Sequence, residues 1–155
     1  MSRFEEEQWY DSMMKRPPSE HVMVIEILPQ RSDNEPLPIG TCQFMDIDWR
    51  NRSAEIGIMI GEKNQWNQGY GTETMQVLLD HGFKTLNFHR IWLRVFDKNK
   101  SAIRVYEKAG LTYEGKQRQA HYQHGRYYDI HLMSVLKDEW RHSNHLDSND
   151  KGKKD

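Results

Sequence analysis

The chain has 155 residues, a formal net charge of -1, 29% charged residues and a single cysteine. That length leads to the expectation of one domain with a real core, and the near-neutral charge excludes a nucleic-acid footprint and a disordered acidic chain. Cys42 alone excludes an internal disulfide framework and fits a reducing compartment. No apolar run is long enough to span a membrane and no signal peptide is visible, so the reading is a soluble, cytoplasmic protein.

Residues 2–14 (SRFEEEQWYDSMM) read as a short helix. Ser2 with Glu5 makes a capping box, Phe4, Trp9, Tyr10, Met13 and Met14 supply an apolar face, and Pro17-Pro18 ends the helix. A strand is expected at 22–28, a proline-rich loop at 29–38, and a second strand at 39–47, where Cys42 serves as a small apolar residue. WRNRS (49–53) turns the chain into a third strand, 54–60, and the three together form an antiparallel meander. The alternation in that third strand sets Glu55, Gly57 and Met59 on one face and Ile56, Ile58 and Ile60 on the other.

Next comes QWNQGYGTET (65–74), followed by a helical stripe of Met75, Leu78, Leu79, Phe83 and Leu86. Gly69 and Gly71 therefore stand where a strand hands over to a helix. The first turn of a helix carries unpaired N–H groups and the positive end of the macrodipole, which attract anions. Glycine there removes Cβ atoms that would keep a phosphate from the backbone. The expectation is a pyrophosphate cradle.

Residues 90–96 (RIWLRVF) alternate again, so 54–60, the helix and 90–96 form a βαβ unit with parallel strands. Asn99 is an N-cap for a helix over 100–109 and Gly110 its C′ residue. Residues 111–118 and 126–136 read as a closing strand pair, with QHG (123–125) near the turn. The fold class is α+β, with a mixed sheet. Residues 141–155 are nearly devoid of apolar side chains and read as a disordered tail, in which His142, His145 and Asp147 lack the supporting shell of a metal site. No metal is expected.

The glycine pattern narrows the chemistry. A dinucleotide fingerprint needs a third glycine where Thr74 stands, and a Walker loop needs a lysine that is absent. NQGYGTE (67–73) together with NKSAIRVYEKAGL (99–111) resembles the GNAT superfamily of acyl-CoA-dependent N-acyltransferases. Trp66 and the Gly-Tyr-Gly-Thr-Glu variant are similar to the branch of ribosomal-protein N-terminal and spermidine acetyltransferases. The resemblance covers about residues 4–140.

The resemblance implies that 54–60 and 90–96 splay apart and hold the pantetheine arm of acetyl-CoA in the gap. It implies a pyrophosphate site on the backbone of Asn67, Gln68, Gly69, Tyr70, Gly71 and Thr72, the place already reached from the helix start. Tyr106 resembles the tyrosine that protonates the departing thiolate, and Asn99 a residue that contacts the cofactor, a role compatible with capping. Glu55 is a candidate base for the acceptor ammonium, with Asp46 and Asp48 as rivals. A main-chain N–H near Met59 or Ile60 would stabilise the oxyanion.

The expected activity is transfer of an acetyl group from acetyl-CoA to a primary amine on a small molecule or peptide, by direct attack. The alternative is a degenerate acyl-CoA-binding protein acting as a sensor or interaction module. The resemblance implies a strand and a helix before the segment equivalent to 2–14. Strand 22–28 is then expected to present an edge covered by a second copy in a homo-oligomer such as a dimer, unless the chain is a shortened version of a longer protein. Neither nucleic acid nor membrane is an expected partner.

Overall fold

The structure, a computed structural model, describes residues 3–29 and 35–140. Its first helix, α1 (Arg3–Met14), stops before Pro17 and Pro18, and Pro18 opens a single 3-10 turn. Ser2 and the side chains of Phe4 and Trp9 lie outside the described residues. Tyr10 and Met14 are each 53% exposed, so these two members of the expected apolar face remain wet.

Three antiparallel strands follow, β1 (Met23–Ile27), β2 (Leu37–Asp48) and β3 (Ser53–Ile60). β2 outruns the expected 39–47 at both ends, because Leu37 and Pro38 pair with β1 and Asp48 pairs with Ser53 beyond a register break. The turn at 49–52 is closed by Asp48, whose carboxylate accepts from the Asn51 backbone N–H at 2.8 Å and from its side-chain amide at 2.7 Å.

The chain then forms α2 (Tyr70–Asp80) and β4 (Arg90–Phe96), with β3 and β4 parallel as the βαβ reading requires. Met75, Leu78, Leu79 and Phe83 are no more than 3% exposed; burying one such side chain stabilises by roughly 1.5–3 kcal/mol. The expected single helix is interrupted here. Its last turn widens into a π turn over His81–Thr85, with the Leu86 N–H donating to the His81 carbonyl at 3.1 Å. Phe83 stands on that turn with its ring 5.3 Å from that of Trp140.

α3 (Lys100–Lys108) begins at Asn99, whose side-chain oxygen accepts from the Ala102 N–H at 3.2 Å, and is followed by Gly110 at φ 93°. β5 (Thr112–Gln123) and β6 (Arg126–Leu136) make a hairpin that turns on His124 and Gly125, both with positive φ. β5 extends beyond the expected 111–118 because two register breaks absorb its extra residues.

The six strands form one sheet in the order β1-β2-β3-β4-β6-β5. The two middle strands pair only where Ser53–Glu55 meets Arg90–Trp92. Beyond that point β3 stays with β2 as far as Gly40–Ile60, and β4 stays with β6 as far as Phe96–Ile130. Each keeps its antiparallel neighbour, so the parallel pair opens like a fork toward its C-terminal ends. That opening positions the site.

Candidate functional site

A cavity of about 330 Å³ occupies the fork. Its apolar walls come from Ile58 on β3, Val95 and Phe96 on β4, and Ile130 on β6. Arg94, Asn99, Tyr106 and His121 bring the polar groups. The position agrees with the rule that ligands bind beyond the carboxyl ends of parallel strands, where the order of connections changes.

The glycine turn stands at the end of the same strand. The Trp66 indole N–H donates to the Ile60 carbonyl at 2.9 Å and ties residues 61–66 back to β3. Gln68 donates to the Asn64 carbonyl at 2.8 Å, and Asn67 takes φ 61°. Gly69 is the N-cap of α2 at φ 91°, a conformation that costs an L-residue, and a Cβ there would project into open space. The first helical bond runs from the Glu73 N–H to the Gly69 carbonyl at 3.0 Å, so the N–H groups of Tyr70, Gly71 and Thr72 precede the helical ladder.

Gly71 differs from the sequence-based expectation. A Cβ on it would point inward, at ordinary contact distance of 3.8 Å from Ile60 and Val105. A methyl group there would be accommodated between α2, β3 and α3, and the open approach to the backbone belongs to Gly69.

Tyr106 and Asn99 both line the cavity, brought there by α3 and its cap. Burial pushes the Tyr106 phenol above its ordinary value, because the phenolate loses hydration there. Asn99 spends one oxygen on capping, and its amide N–H groups remain as donors. Met59 is 65% exposed and Ile60 half-buried on the stretch of β3 beyond its pairing with β4.

The candidate bases fare differently. Glu55 is not the solvent-facing strand residue that alternation allows: it is 3% exposed, and both its oxygens accept from Arg94, at 2.7 and 2.8 Å. Each oxygen of this carboxylate is thus engaged by a cation, and Glu55 is not among the residues that line the cavity. Asp48 is committed to its turn, and the Asn51 bonds hold its carboxyl below the usual range. Asp46, at φ 46° on β2, lies 4.0 Å from Arg94 and is exposed, outside the cavity lining. It lines a second groove of about 520 Å³ with Met13, Arg16 and Glu20.

Two cavity residues escaped the sequence reading. Arg94 had a signal in the facing charges of two neighbouring parallel strands, Glu55 and Arg94. His121 had none, because its place along β6 depends on a β5 register break. Cys42 is buried, and burial pushes its thiol up, as suits an inert core residue. Among the described residues no cluster of His, Cys, Asp and Glu gathers as metal ligands do, and no helix is long and apolar enough to cross a membrane. His142, His145 and Asp147 lie outside the described residues.

Comparison with known proteins supplies the family. A family model described as an acetyltransferase (GNAT) domain matches residues 1–112. An uncharacterised N-acetyltransferase of Bacillus licheniformis is 38% identical over 102 residues, covering 66% of this chain and 57% of that protein. The spermidine N(1)-acetyltransferase of Vibrio cholerae is 32% identical over 102 residues, covering 66% of this chain and 58% of that protein. The chain thus spans under two thirds of the length of these curated relatives. Among solved structures, the Vibrio cholerae spermidine N-acetyltransferase in complex with CoA and spermine matches with a TM-score of 0.79 at 28% identity, covering 90% of this chain and 78% of that one. A forked α+β sheet, a glycine turn opening α2 and a matching family model together make this chain a member of the GNAT acetyltransferase family.

Proposed function

We propose that the protein transfers the acetyl group of acetyl-CoA to a primary amine by direct attack. The observation that carries this reading is the fork between β3 and β4, which opens a cavity lined by Tyr106 and Asn99 at the end of the strand that leads to α2. The residues present fit the cofactor. The backbone of residues 67–72 would hold the pyrophosphate, the fork would take the pantetheine arm, and Asn99 would contact it through its amide. Acetyl-CoA supplies the activated acyl group. The chain supplies Tyr106 as the acid for the departing thiolate, and a main-chain N–H near Met59 or Ile60 for the oxyanion. Glu55 acts by fixing Arg94 in the cavity wall, not as the base.

For the acceptor we propose a small-molecule or peptide amine. Relatives named for spermidine, and one solved with spermine, support a polyamine among the candidates. The groove that holds Asp46 and Glu20 offers carboxylates to such a cation. We also propose a cytoplasmic protein, which the single buried cysteine suits, and a dimer closed over the β1 edge.

One observation favours a second reading, an acyl-CoA-binding protein without turnover: among the described residues no carboxylate lines the cavity. Thiol release from acetyl-CoA, measured against spermidine, peptides with free N-termini and aminoglycosides alongside CoA calorimetry, separates the two. Release with one acceptor class supports the enzyme. Tight CoA binding without release from any amine supports the second reading.

A further inference from the structure

The chemistry proposed above lacks one participant. An amine acceptor arrives at neutral pH as an ammonium ion, and its lone pair becomes available only when a proton leaves. The carboxylates read from the sequence are bound to Arg94, bound to Asn51, or outside the cavity lining. Among the described residues that line the cavity, the side chain with a nitrogen lone pair suited to general-base work is His121.

The place of His121 is built into the hairpin. Gln117 pairs with Ile130 and His121 with Tyr128, so β5 uses four residues where β6 uses two. The extra length is taken up at Gln119, which adopts φ 50°. Asp129 braces this bulge: one carboxylate oxygen accepts from the Gln119 backbone N–H at 2.8 Å, the other from Lys116 at 2.7 Å. Two extra residues keep the alternation of faces and carry His121 along β6 to the place opposite Tyr128. Here the result is an imidazole laid against Phe96, ring centroids 4.6 Å apart, in the wall of the cavity that Tyr106 also lines.

The charged and titratable groups around that ring come from each neighbouring element. β4 brings Arg94, already paired with Glu55, and the turn after it brings Lys98, whose ammonium donates to Gln123 and lies 3.9 Å from the Tyr128 ring. Tyr106 comes from α3 and Tyr128 from β6, while β3 contributes the apolar Ile58. The nearest carboxylates in the chain, Asp97 after Phe96 and Asp129 beside Tyr128, stand outside the cavity lining, and Asp129 is held by Lys116 and Gln119.

We propose that His121 is the base that deprotonates the acceptor ammonium in this cavity, an inference that rests on the acetyl-transfer reading above. The imidazole lone pair takes one N–H proton and leaves a neutral amine. The amine nitrogen bonds to the acetyl carbon as the carbon–sulfur bond breaks, and the thiolate takes the phenol proton of Tyr106. The phenolate recovers a proton from the amide nitrogen as it forms, and the imidazolium returns its own to solvent. Atoms and charge balance to one amide, one thiol and one released proton.

The test measures kcat/KM against pH for the wild-type chain, His121→Phe and His121→Asn, using the amine that the wild type turns over fastest in the panel. His121→Phe keeps an aromatic ring against Phe96 and removes the nitrogens; His121→Asn keeps polarity without a comparable base. The expected result is a fall of about 100-fold at pH 7 in both variants. The acidic limb of the wild type should be replaced by a rise that follows the ionisation of the free amine, with CoA affinity by calorimetry unchanged. A variant profile parallel to the wild type, or an unchanged rate, overturns the inference while leaving the transfer reading intact. CoA binding by the wild type with no thiol release from any amine overturns both.

Discussion

Glu55 and Arg94 share one bidentate contact but live in different surroundings: the Glu55 side chain is 4% exposed and that of Arg94 is 47% exposed. Truncating the two is therefore unequal. Arg94→Ala leaves a buried carboxylate without its cation, which costs on the order of 3 kcal/mol, whereas Glu55→Gln leaves a guanidinium that water can reach. We expect Arg94→Ala to lower the denaturant midpoint much more than Glu55→Gln does; equal shifts would show that Glu55 is solvated through another route. Tyr106 makes a different kind of prediction. Tyr106→Phe should lower kcat by about 100-fold with CoA affinity unchanged, since it removes a group used in the transition state. Because burial raises the phenol above its ordinary 10.0, the acid form persists to higher pH. The wild-type kcat should decline at a higher pH than an ordinary phenol would impose, and Tyr106→Phe should lack that decline. A wild-type loss of activity well below pH 10 that Tyr106→Phe abolishes would contradict the raised phenol.

At the scale of elements, the start of α2 carries the cofactor prediction. Gly69 holds φ 91° with open space where a side chain would go, and Gly71 turns its missing side chain toward Ile60 and Val105. A side chain at Gly69 meets backbone strain of roughly 1–2 kcal/mol and also stands in the path of an anion. Gly69→Val should therefore weaken CoA binding by about tenfold or more, and Gly71→Ala, which finds ordinary contact distances, by about threefold at most. Calorimetry with CoA reads both, and the reverse order would move the cradle away from Gly69. The π turn after α2 and the bulge in β5 belong to this scale too. Apolar spacing foretold the stripe through Phe83 but not the wider turn it stands on, since a period of 3.6 and one of slightly more are indistinguishable over five residues.

For the whole molecule, the open question is the sheet's first edge. β1 pairs on one side only among the described residues, and Val24 and Leu28 beside that edge are 59% and 76% exposed. Natural proteins cover such edges. If a second copy provides the cover, sedimentation should give a dimer, and Val24→Lys should shift it toward monomer without disturbing CoA affinity. A wild-type monomer at high concentration would remove the dimer from the proposal.

The sequence by itself determined the order of helices and strands, the parallel placement of β3 and β4, the cap at Asn99 and the glycine start of α2. Those features follow from period, capping and turn chemistry acting within a few residues. Through its motifs, the sequence also carried the resemblance that the family match bears out. Only the tertiary structure decided what Glu55, Arg94 and His121 do. Glu55 lies where alternation allowed a wet face, yet it is buried because Arg94 from the neighbouring strand closes over it. Asp48 is spent on its own turn, and a side chain at Gly71 would turn inward toward Ile60 and Val105. His121 stands in the cavity wall because a bulge braced by Asp129 shifts β5 by two residues along β6 and sets it opposite Tyr128. Glu55 depends on a partner from a distant part of the chain and His121 on a register shift, and neither leaves a periodic trace in the residues themselves.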